Sequence, residues 1–363
     1  MEIYYDYQAL LNQQYGGVSR YFYEIIYRLQ NYEKYNTNVT IECIGSINYY
    51  FQELLGTKRR KRTKIFNQDI IDKVYREVNR IHSKRMLKKH YDIIHPTYYD
   101  PYILDHYDGK LVITIHDMIH EIFPDMFQQW NRDAKKKMAL AADHIVTISE
   151  CTKKDILKYY PDINENKISI IPLASSLKEL NEIDRVINHR YILFVGTRNS
   201  YKNFVNFFKA VSSILVKDKN LYLVSVGGGK YDGAERELIG SLIDRCIQIN
   251  ADDRTLISLY TYAECFVFPS LYEGFGIPLL EAFSCKCPVV ASDASSLPEV
   301  AGDAAIYFNP YDISDMSAKI ELAVYDEKCK AAMVNRGIDR LRAYDWNKST
   351  DMLVGCYQSL LDK

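Results

Sequence analysis

A loop with two glycines joins a strand-like segment to a helix-like one and could hold a phosphate. It contains Glu273-Gly274-Phe275-Gly276 and leads through Ile277 to Pro278, which suits the first position of a helix because its missing N–H would be unpaired there. A helix N-terminus offers free backbone N–H groups and the positive end of the helix dipole, and glycines let a ligand approach the backbone closely. We therefore predict a phosphate seat in this loop.

Two glutamates flank the predicted seat. Glu273 lies in the loop, and the sequence places Glu281 in the first helical turn, where the dipole stabilises an ionised carboxylate. Carboxylates accept hydrogen bonds from sugar and ribose hydroxyls, while the N–H groups would neutralise a diphosphate. The alternative is structural: Glu281 would only stabilise the helix start, and Glu273 would be a solvated turn residue.

Further candidate groups follow other strand-like segments. Gly16-Gly17 precedes a helix-like segment, His116 ends a strand-like run, and Arg198 and Lys202 lie in one loop. Taken alone, such a glycine pair is more often a tight turn, such a histidine is more often structural, and loop cations are common. His116 nevertheless lies at the carboxyl end of a predicted parallel strand, which is where such sheets bind ligands.

Strand-like runs alternate with helix-like segments along the whole chain, which predicts an α/β fold with parallel sheets covered by helices. The predicted short, buried strands are 2–7, 39–44, 92–95, 111–115, 144–148, 167–171, 191–195, 221–226, 246–249, 265–268 and 288–291. After Gly17, apolar residues at spacings of three and four predict a helix that packs on the first sheet by one face. That face comprises Val18, Phe22, Ile25, Ile26 and Leu29.

The length of 363 residues favours two domains, because single cores rarely grow beyond about 250–300 residues. The mostly polar stretch 172–189 has no strand signal, and we place the domain junction there. Apolar residues make up 47% and the net charge is −1, which indicates a globular chain with no general attraction to nucleic acid. No apolar run reaches the roughly 18 residues of a membrane span and no signal peptide is recognisable, so we expect a cytoplasmic protein.

The eight cysteines are scattered, several of them in apolar runs, and we interpret them as reduced core residues. One local charge excess stands out: residues 58–90 contain 13 Lys or Arg and 3 Asp or Glu. A solvated surface is the simple interpretation. The alternative is attraction to an anionic membrane surface or a phosphate-bearing acceptor, at about 1 kcal/mol per cation near a charged surface. The second interpretation predicts a peripheral protein on the inner face of a membrane.

The residues around the phosphate seat resemble a known family. Glu273 and Glu281 have the spacing of the E-x7-E motif of retaining glycosyltransferases with the GT-B fold, family 4, and the similarity continues in register to Pro310. Gly16-Gly17-Val18-Ser19-Arg20-Tyr21 resembles the N-terminal glycine loop of that family, and His116-Asp117 resembles its strand-end histidine segment. The segment Phe194 to Asn203 resembles the one that supplies a diphosphate-binding Arg/Lys pair.

The resemblance implies two Rossmann-like domains, an acceptor-side domain at 1–180 and a nucleotide-sugar domain at 181–340, with a donor and acceptor cleft between them. It also implies that the C-terminal helix at 341–363 packs back on the first domain. The substrates would be a nucleoside-diphosphate sugar and a glycan or lipid-linked glycan acceptor. The family resemblance leans towards GDP-mannose and bacterial surface polysaccharide synthesis, with UDP-hexoses as the main alternative.

The family roles are carried over by position. Gly16 and Gly17 would face the donor, His116 would contact the donor sugar, Glu273 would hold sugar hydroxyls, and Glu281 would hold the ribose. Lys202 stands where the family has its lysine and would neutralise the leaving diphosphate. Arg198 would assist Lys202, although the usual arginine position holds Thr197 and Arg198 follows it. No nucleic acid, cofactor or metal is implied, and no convincing Asp-x-Asp pair ends a strand.

Two other functions fit parts of the pattern. A dinucleotide-dependent oxidoreductase would share the alternation of strands and helices, but no G-x-G-x-x-G with a downstream acid follows any strand, and Gly227-Gly228-Gly229 is only a glycine-rich turn. A non-catalytic scaffold protein with the same fold is the second alternative. The presence of Lys202, Glu273 and Glu281 together argues against it.

Overall fold

The chain, seen in a computed structural model, is described for residues 1–11, 14–56, 68–177, 180, 182–198 and 200–362. These residues form two parallel six-stranded sheets, which confirms the α/β prediction. The strands are β1 (Glu2–Tyr5), β2 (Asn38–Ile41), β3 (Ile93–Ile94), β4 (Lys110–Ile115), β5 (His144–Thr147), β6 (Ile168–Ile170), β7 (Arg190–Val195), β8 (Leu221–Val226), β9 (Cys246–Ile249), β10 (Cys265–Phe268), β11 (Val289–Ser292) and β12 (Ala305–Phe308).

Helices connect the strands, as parallel neighbours require. They are α1 (Gly17–Asn31), α2 (Tyr49–Leu55), α3 (Gln68–Met86), α4 (Ile119–Ile122), α5 (Gln129–Ala141), α6 (Glu150–Tyr159), α7 (Phe204–Lys217), α8 (Gly233–Ile239), α9 (Asp253–Thr261), α10 (Ile277–Ser284), α11 (Leu297–Ala301), α12 (Ile313–Tyr325), α13 (Glu327–Leu341) and α14 (Trp346–Leu361).

The chain divides into two units. The first contains Met1–Leu173 together with Trp346–Lys363, and its sheet has the order β2-β1-β3-β4-β5-β6. In α1 the predicted apolar face is largely buried, with only Val18 of the five residues half-buried. Helix α14 belongs to this unit: the Tyr357 hydroxyl lies 2.8 Å from the Tyr5 hydroxyl and 2.5 Å from His95 Nδ1, in a fully buried position.

The second unit, Ala174–Asp345, has the sheet order β12-β11-β10-β7-β8-β9. This is the dinucleotide-fold order in which the first strand lies at the centre and the succession of strands reverses beside it. Every residue of β10 and β11 is buried, because helices cover the sheet. These strands therefore do not alternate between buried and exposed residues. The reversal of order occurs between β7 and β10.

Some predicted strand limits are wrong. The strands predicted at 2–7 and 39–44 end at Tyr5 and Ile41. Asp6 leaves the ladder because its carboxylate accepts hydrogen bonds from the backbone and hydroxyl of Thr97, both at 2.8 Å. The edge strand β12 was not predicted, although it pairs along its whole length with β11.

Candidate active site

Two of the predicted site residues meet where the strand order of the second unit reverses. Lys202 follows β7 and Glu273 follows β10, and open α/β sheets bind ligands at the carboxyl ends of such neighbouring strands. Lys202 Nζ lies 2.6 Å from Glu273 Oε1, and the two side chains are only 18% and 15% exposed. The two loops are also joined through their backbones, since Leu271 N donates to Tyr201 O at 2.8 Å.

Serines that follow β11 hold the Glu273 loop in place. The Glu273 N–H donates to Ser295 Oγ at 2.9 Å, and Ser296 Oγ lies 2.8 Å from the Glu273 carbonyl oxygen and 3.0 Å from that of Phe275. Ser295 has a φ of 53°, a left-handed conformation that is uncommon outside glycine and clusters at functional sites. The Glu273 backbone is therefore fixed independently of its ion pair with Lys202.

The predicted phosphate seat lies at the N-terminus of α10. Gly276 precedes the helix with a φ of 104°, and a Cβ there would come within 2.8 Å of Leu297 Cδ2, so this position requires glycine. The helix begins at Ile277, which puts Pro278 in its second position and not in the first as predicted. Glycine brings no side chain that could cap the helix, so the helix end stays suited to an anion.

The prediction that Glu281 lies in the first turn of this helix is wrong. It is the fifth residue of α10 and lies in the second turn, because the helix begins at Ile277, one residue before the predicted start at Pro278. Glu281 is 6% exposed, and its Oε2 lies 3.4 Å from the hydroxyl of Tyr260, which is fully buried. Phe275 points into the second unit, with its ring edge-on to Tyr344 at 5.6 Å, so it can offer a ligand only its backbone.

Arg198 does not share the partner of Lys202. Its Nε and Nη2 atoms lie 2.5 Å and 3.1 Å from the two carboxylate oxygens of Glu235, and Nη1 donates to the Gly227 carbonyl at 2.8 Å. The side chain is 3% exposed, and its guanidinium lies over the ring of Tyr231 at 4.8 Å. Arg198 thus ties the loop after β7 to the glycine turn after β8. Its predicted contact with a diphosphate stays a prediction.

In the first unit, Gly16 and Gly17 stand at the start of α1. Gly16 has a φ of −173°, which any residue can adopt, and a Cβ on Gly17 would meet no described atom within 4 Å. The backbone and the packing therefore give no reason for glycine at Gly17. The missing side chain leaves open space at a helix N-terminus, and the predicted ligand contact stays a prediction.

His116 directly follows β4 and is 8% exposed. Its ring packs edge-on against Tyr21 at 5.0 Å and Phe22 at 6.2 Å, and its Nε2 has no hydrogen-bond partner among the described residues. Burial lowers the pKa of His116 to about 4, with a smaller lowering by Lys135 that Asp117 opposes. The imidazole is therefore neutral near pH 7 and can offer Nε2 to a hydroxyl group.

A buried lysine fixes the segment that carries His116. Lys135 is fully buried on α5, and its Nζ lies 2.9 Å from Glu121 Oε2 and donates to the Asp117 carbonyl at 3.0 Å. The Tyr99 hydroxyl donates to the Thr114 carbonyl at 3.2 Å and accepts from the His116 N–H at 3.4 Å. These contacts hold the backbone on both sides of His116.

Comparison with known proteins agrees with this geometry. Residues 15–174 match the family described as Glycosyltransferase Family 4, and residues 178–340 match the family described as Glycosyl transferases group 1. The two matches follow each other along the chain and together span nearly all of it. The chain belongs to glycosyltransferase family 4.

Known proteins and solved structures resemble all or part of this glycosyltransferase. The O-antigen chain mannosyltransferase B of Escherichia coli is 25% identical over 95% of this chain and 96% of its own. The O-antigen chain mannosyltransferase RfbU of Salmonella typhimurium is 30% identical over 58% of this chain and 59% of its own. Sucrose-phosphate synthase from Thermosynechococcus elongatus covers 100% of this chain with a TM-score of 0.74 at 18% identity. Anabaena HepE, solved with UDP-glucose, covers 99% with a TM-score of 0.73 at 15% identity. The glycosyltransferase therefore has the GT-B fold.

Several residues that shape the site were not identified from the sequence. Ser295 and Ser296 follow a strand that was predicted, and their hydroxyls could have been suspected of holding a neighbouring loop, but nothing indicated which loop. Lys135 lies in a run of three lysines, 135–137, of which the first is buried and the other two are exposed. Only the burial of its neighbours Ala134 and Met138 distinguishes it, because these place Lys135 on the inner face of α5.

We expect Lys135 to lower the pKa of His116 in solution. Replacing Lys135 alone would leave the buried carboxylate of Glu121 without a compensating cation, at a cost of about 3–5 kcal/mol, so the variant is Lys135→Met with Glu121→Gln. The pKa of His116 should rise from about 4 yet stay below 6.5, because burial remains the larger cause. Histidine Cε1–H resonances measured against pH by NMR, assigned with His116→Gln, report this change.

The matched control is Lys137→Met, since Lys137 is exposed on the same helix. It should leave the His116 titration unchanged. A His116 pKa that is the same in the double variant and in the unaltered protein would show that Lys135 does not act on this imidazole.

Proposed function

We propose that this glycosyltransferase moves a hexose from a nucleoside-diphosphate sugar to a glycan or lipid-linked glycan, with retention of anomeric configuration. The observation that carries the proposal is the ion pair between Lys202 and Glu273. These residues follow the neighbouring strands β7 and β10, where the sheet order reverses, and they lie close to the start of α10 after Gly276. A cation, a helix N-terminus and a carboxylate at one strand edge suit a diphosphate joined to a sugar.

Lys202 would change partners when the donor binds. In the free enzyme its ammonium is neutralised by Glu273 at 2.6 Å. A diphosphate at the start of α10 offers a stronger, doubly charged partner, and the carboxylate of Glu273 is then free to accept hydrogen bonds from sugar hydroxyls. Negative charge grows on the phosphate oxygen as the anomeric C–O bond breaks, so a preorganised cation stabilises the transition state more than the ground state.

The bond changes balance without a covalent enzyme intermediate. The electron pair of the anomeric C–O bond leaves with the diphosphate, and the acceptor oxygen bonds to the anomeric carbon on the same face. The acceptor proton passes to the departing phosphate oxygen. In this scheme His116 holds a donor sugar hydroxyl as a neutral imidazole, Gly16 and Gly17 admit the donor beside α1, and Glu281 holds the ribose.

The transferred sugar is proposed to be mannose and the product a bacterial surface polysaccharide. The support is the similarity to the two relatives given above, both of which are called O-antigen chain mannosyltransferases. GDP-mannose is accordingly the first donor to test. UDP-hexoses are the second, because the similar fold of Anabaena HepE was solved with UDP-glucose.

We expect mannosyl transfer from GDP-mannose to depend on the ion pair. Lys202→Met and Glu273→Gln should each lower kcat/KM by about 10²–10³, the loss typical of removing one group that stabilises charge in the transition state. Release of GDP and incorporation of labelled mannose into an extract of bacterial lipid-linked glycans measure the reaction. Lys209→Met on the exposed side of α7 is the control and should retain full activity. Equal activity in all four proteins would contradict the assignment.

Side chains and the helix N-terminus, not a metal ion, are proposed to neutralise the diphosphate. Transfer should therefore continue at an unchanged rate in excess EDTA, with no stimulation by Mg²⁺ or Mn²⁺. The same assay, run with and without chelator after dialysis, measures this. Complete loss of transfer in EDTA that returns with added metal would overturn this part of the scheme.

We also propose that the enzyme works at an anionic membrane surface. The basic run at 58–64 lies outside the described residues, but α3 follows it, and in the described part of the chain no helix could span a bilayer. The outer face of α3 carries apolar side chains among its charged ones, more than an ordinary surface helix exposes. Its inner face is mixed, since Tyr75 and Met86 pack against the core of the first unit beside polar residues. Ile70, Val74, Val78 and Ile81 are 61%, 57%, 41% and 53% exposed, whereas Asn79 and Ser83 are buried.

Basic side chains accompany this outer face, which is what an amphipathic helix at a lipid interface requires. They are Lys73, Arg76, Arg80, Lys84 and Arg85, against Asp69, Asp72 and Glu77 in the same helix. Glu77 lies beside the apolar residues, and its nearest cation is Arg80 at 3.9 Å. The apolar residues would enter the headgroup layer while the cations meet lipid phosphates.

Ile70→Ser with Ile81→Ser should reduce binding to vesicles of phosphatidylglycerol and phosphatidylcholine by about tenfold or more. Both substitutions remove apolar area that would be buried in the headgroup layer of the bound protein. Co-sedimentation at low and moderate salt measures the bound fraction. Val216→Ser, 62% exposed in the second unit, is the control. Unchanged binding would contradict the proposal. A dimer that the double variant converts to monomers would show instead that a second copy covers the face.

A further inference from the structure

Five tyrosine rings form a continuous series on the first unit. Tyr27 and Tyr23 have ring centroids 5.9 Å apart, Tyr23 and Tyr50 are 5.6 Å apart, and Tyr50 and Tyr49 are 5.7 Å apart. Tyr15 completes the series at 5.6 Å from Tyr49 and 6.3 Å from Tyr50. We call these five residues the tyrosine ladder. They are part of a high tyrosine content, 31 residues, and none of the five belongs to the site described above.

The ladder begins beside the glycine loop. Tyr15 immediately precedes Gly16 and Gly17, whereas Tyr23 and Tyr27 lie one and two turns further along α1, and the remaining two rings come from the start of α2. A ligand that reaches the N-terminus of α1 therefore meets the ladder next.

The two ends of the ladder face solvent. Tyr15 is 56% exposed and Tyr27 is 42% exposed, whereas Tyr50 between them is 8% exposed. A cluster that served only to pack α2 on α1 would need the buried ring of Tyr50, but it would gain less from two rings that are about half exposed to water. The exposed ends thus call for another explanation than packing.

Polar groups lie among the rings. The Tyr49 hydroxyl donates to Glu53 Oε1 at 2.5 Å, and Tyr23 contacts the same carboxylate, which is one reason besides burial that the pKa of Tyr23 is raised to about 12. The Arg20 guanidinium lies 5.9 Å from the Tyr50 ring centroid. The surface therefore combines flat apolar rings with hydroxyl, carboxylate and guanidinium groups.

We infer that the tyrosine ladder is the binding surface for the acceptor glycan chain. A pyranose ring presents an apolar C–H face that packs on an aromatic ring, and a rim of hydroxyls that pairs with groups such as the Glu53 carboxylate. Tyrosine offers both kinds of contact from one rigid side chain. Because the rings follow one another, they would contact several sugars of a chain and not a single terminal residue. The inference rests on the proposed glycosyl transfer, and it adds that the enzyme recognises the acceptor beyond the sugar that reacts.

The direct test is saccharide binding, which does not depend on turnover. The probe is an array of immobilised mannose, galactose, glucose and N-acetylglucosamine oligomers from one to six sugars long. The unaltered protein should bind one series more tightly as its oligomers lengthen. Tyr15→Ala with Tyr27→Ala should lose this gain by about tenfold or more, whereas Tyr15→Phe with Tyr27→Phe should keep most of it, because the ring faces remain. Tyr325→Ala, 49% exposed in the second unit, is the control.

The transfer assay separates the two proposals. With an extended acceptor, the alanine pair should raise the acceptor KM about tenfold and leave the donor KM and kcat unchanged. If the unaltered protein binds oligomers through the ladder but transfers no sugar, the proposed function fails and the ladder stands. If the unaltered protein binds no array member, or the alanine pair binds and transfers like the unaltered protein, the ladder proposal is overturned. Both positions are exposed, so we expect the substitutions to leave the fold intact, which far-ultraviolet circular dichroism checks.

Discussion

The ion pair between Lys202 and Glu273 is the interaction on which the account of this enzyme depends. Both side chains are more than four-fifths buried, and desolvating two charges costs nearly as much as their attraction returns. Such a pair is a poor source of stability. Its place at a strand edge, beside a helix start that favours anions, fits the proposed exchange in which a phosphate replaces Glu273 as the partner of Lys202.

The backbone around the pair is held in conformations that few residues adopt freely. Asn203, Gly276 and Ser295 have φ values of 58°, 104° and 53°, and each lies within three residues of Lys202 or Glu273 or bonds to one of them. The Asn203 side chain donates to the Pro310 carbonyl at 2.8 Å, and Ser295 and Ser296 bind the Glu273 loop. Conformational strain is thus supported by specific hydrogen bonds, which fixes the site before any substrate arrives.

Hydrophobic patterning predicted the sheets well because parallel strands are buried on both faces and read as short apolar runs. Strands β8, β9 and β10 have the predicted limits, since each is bounded by polar, glycine or proline residues. Strand β1 ends earlier than predicted because Asp6 accepts hydrogen bonds from Thr97 and does not continue the pairing of the β-sheet. The position of Glu281 was misjudged because α10 begins directly after Gly276, one residue earlier than the start predicted from Pro278.

The chemistry of single side chains was harder to predict than their positions in the fold. Lys202 and Glu273 are 71 positions apart, and only the sheet order joins them. Arg198 looks like a second phosphate ligand in the sequence, yet Glu235 and the glycine turn surround it, and no local pattern reveals that. The Lys135–Glu121 pair and the tyrosine ladder could not be predicted for the same reason, because each combines residues from different helices or loops.

The most direct measurement is a crystal structure of the enzyme with a bound nucleoside diphosphate, GDP first and UDP second. The account predicts that the β-phosphate lies at the N-terminus of α10, with Lys202 Nζ within about 3 Å of a phosphate oxygen and no longer paired with Glu273. A nucleotide bound elsewhere, or bound here with the ion pair of Lys202 and Glu273 intact, would contradict it.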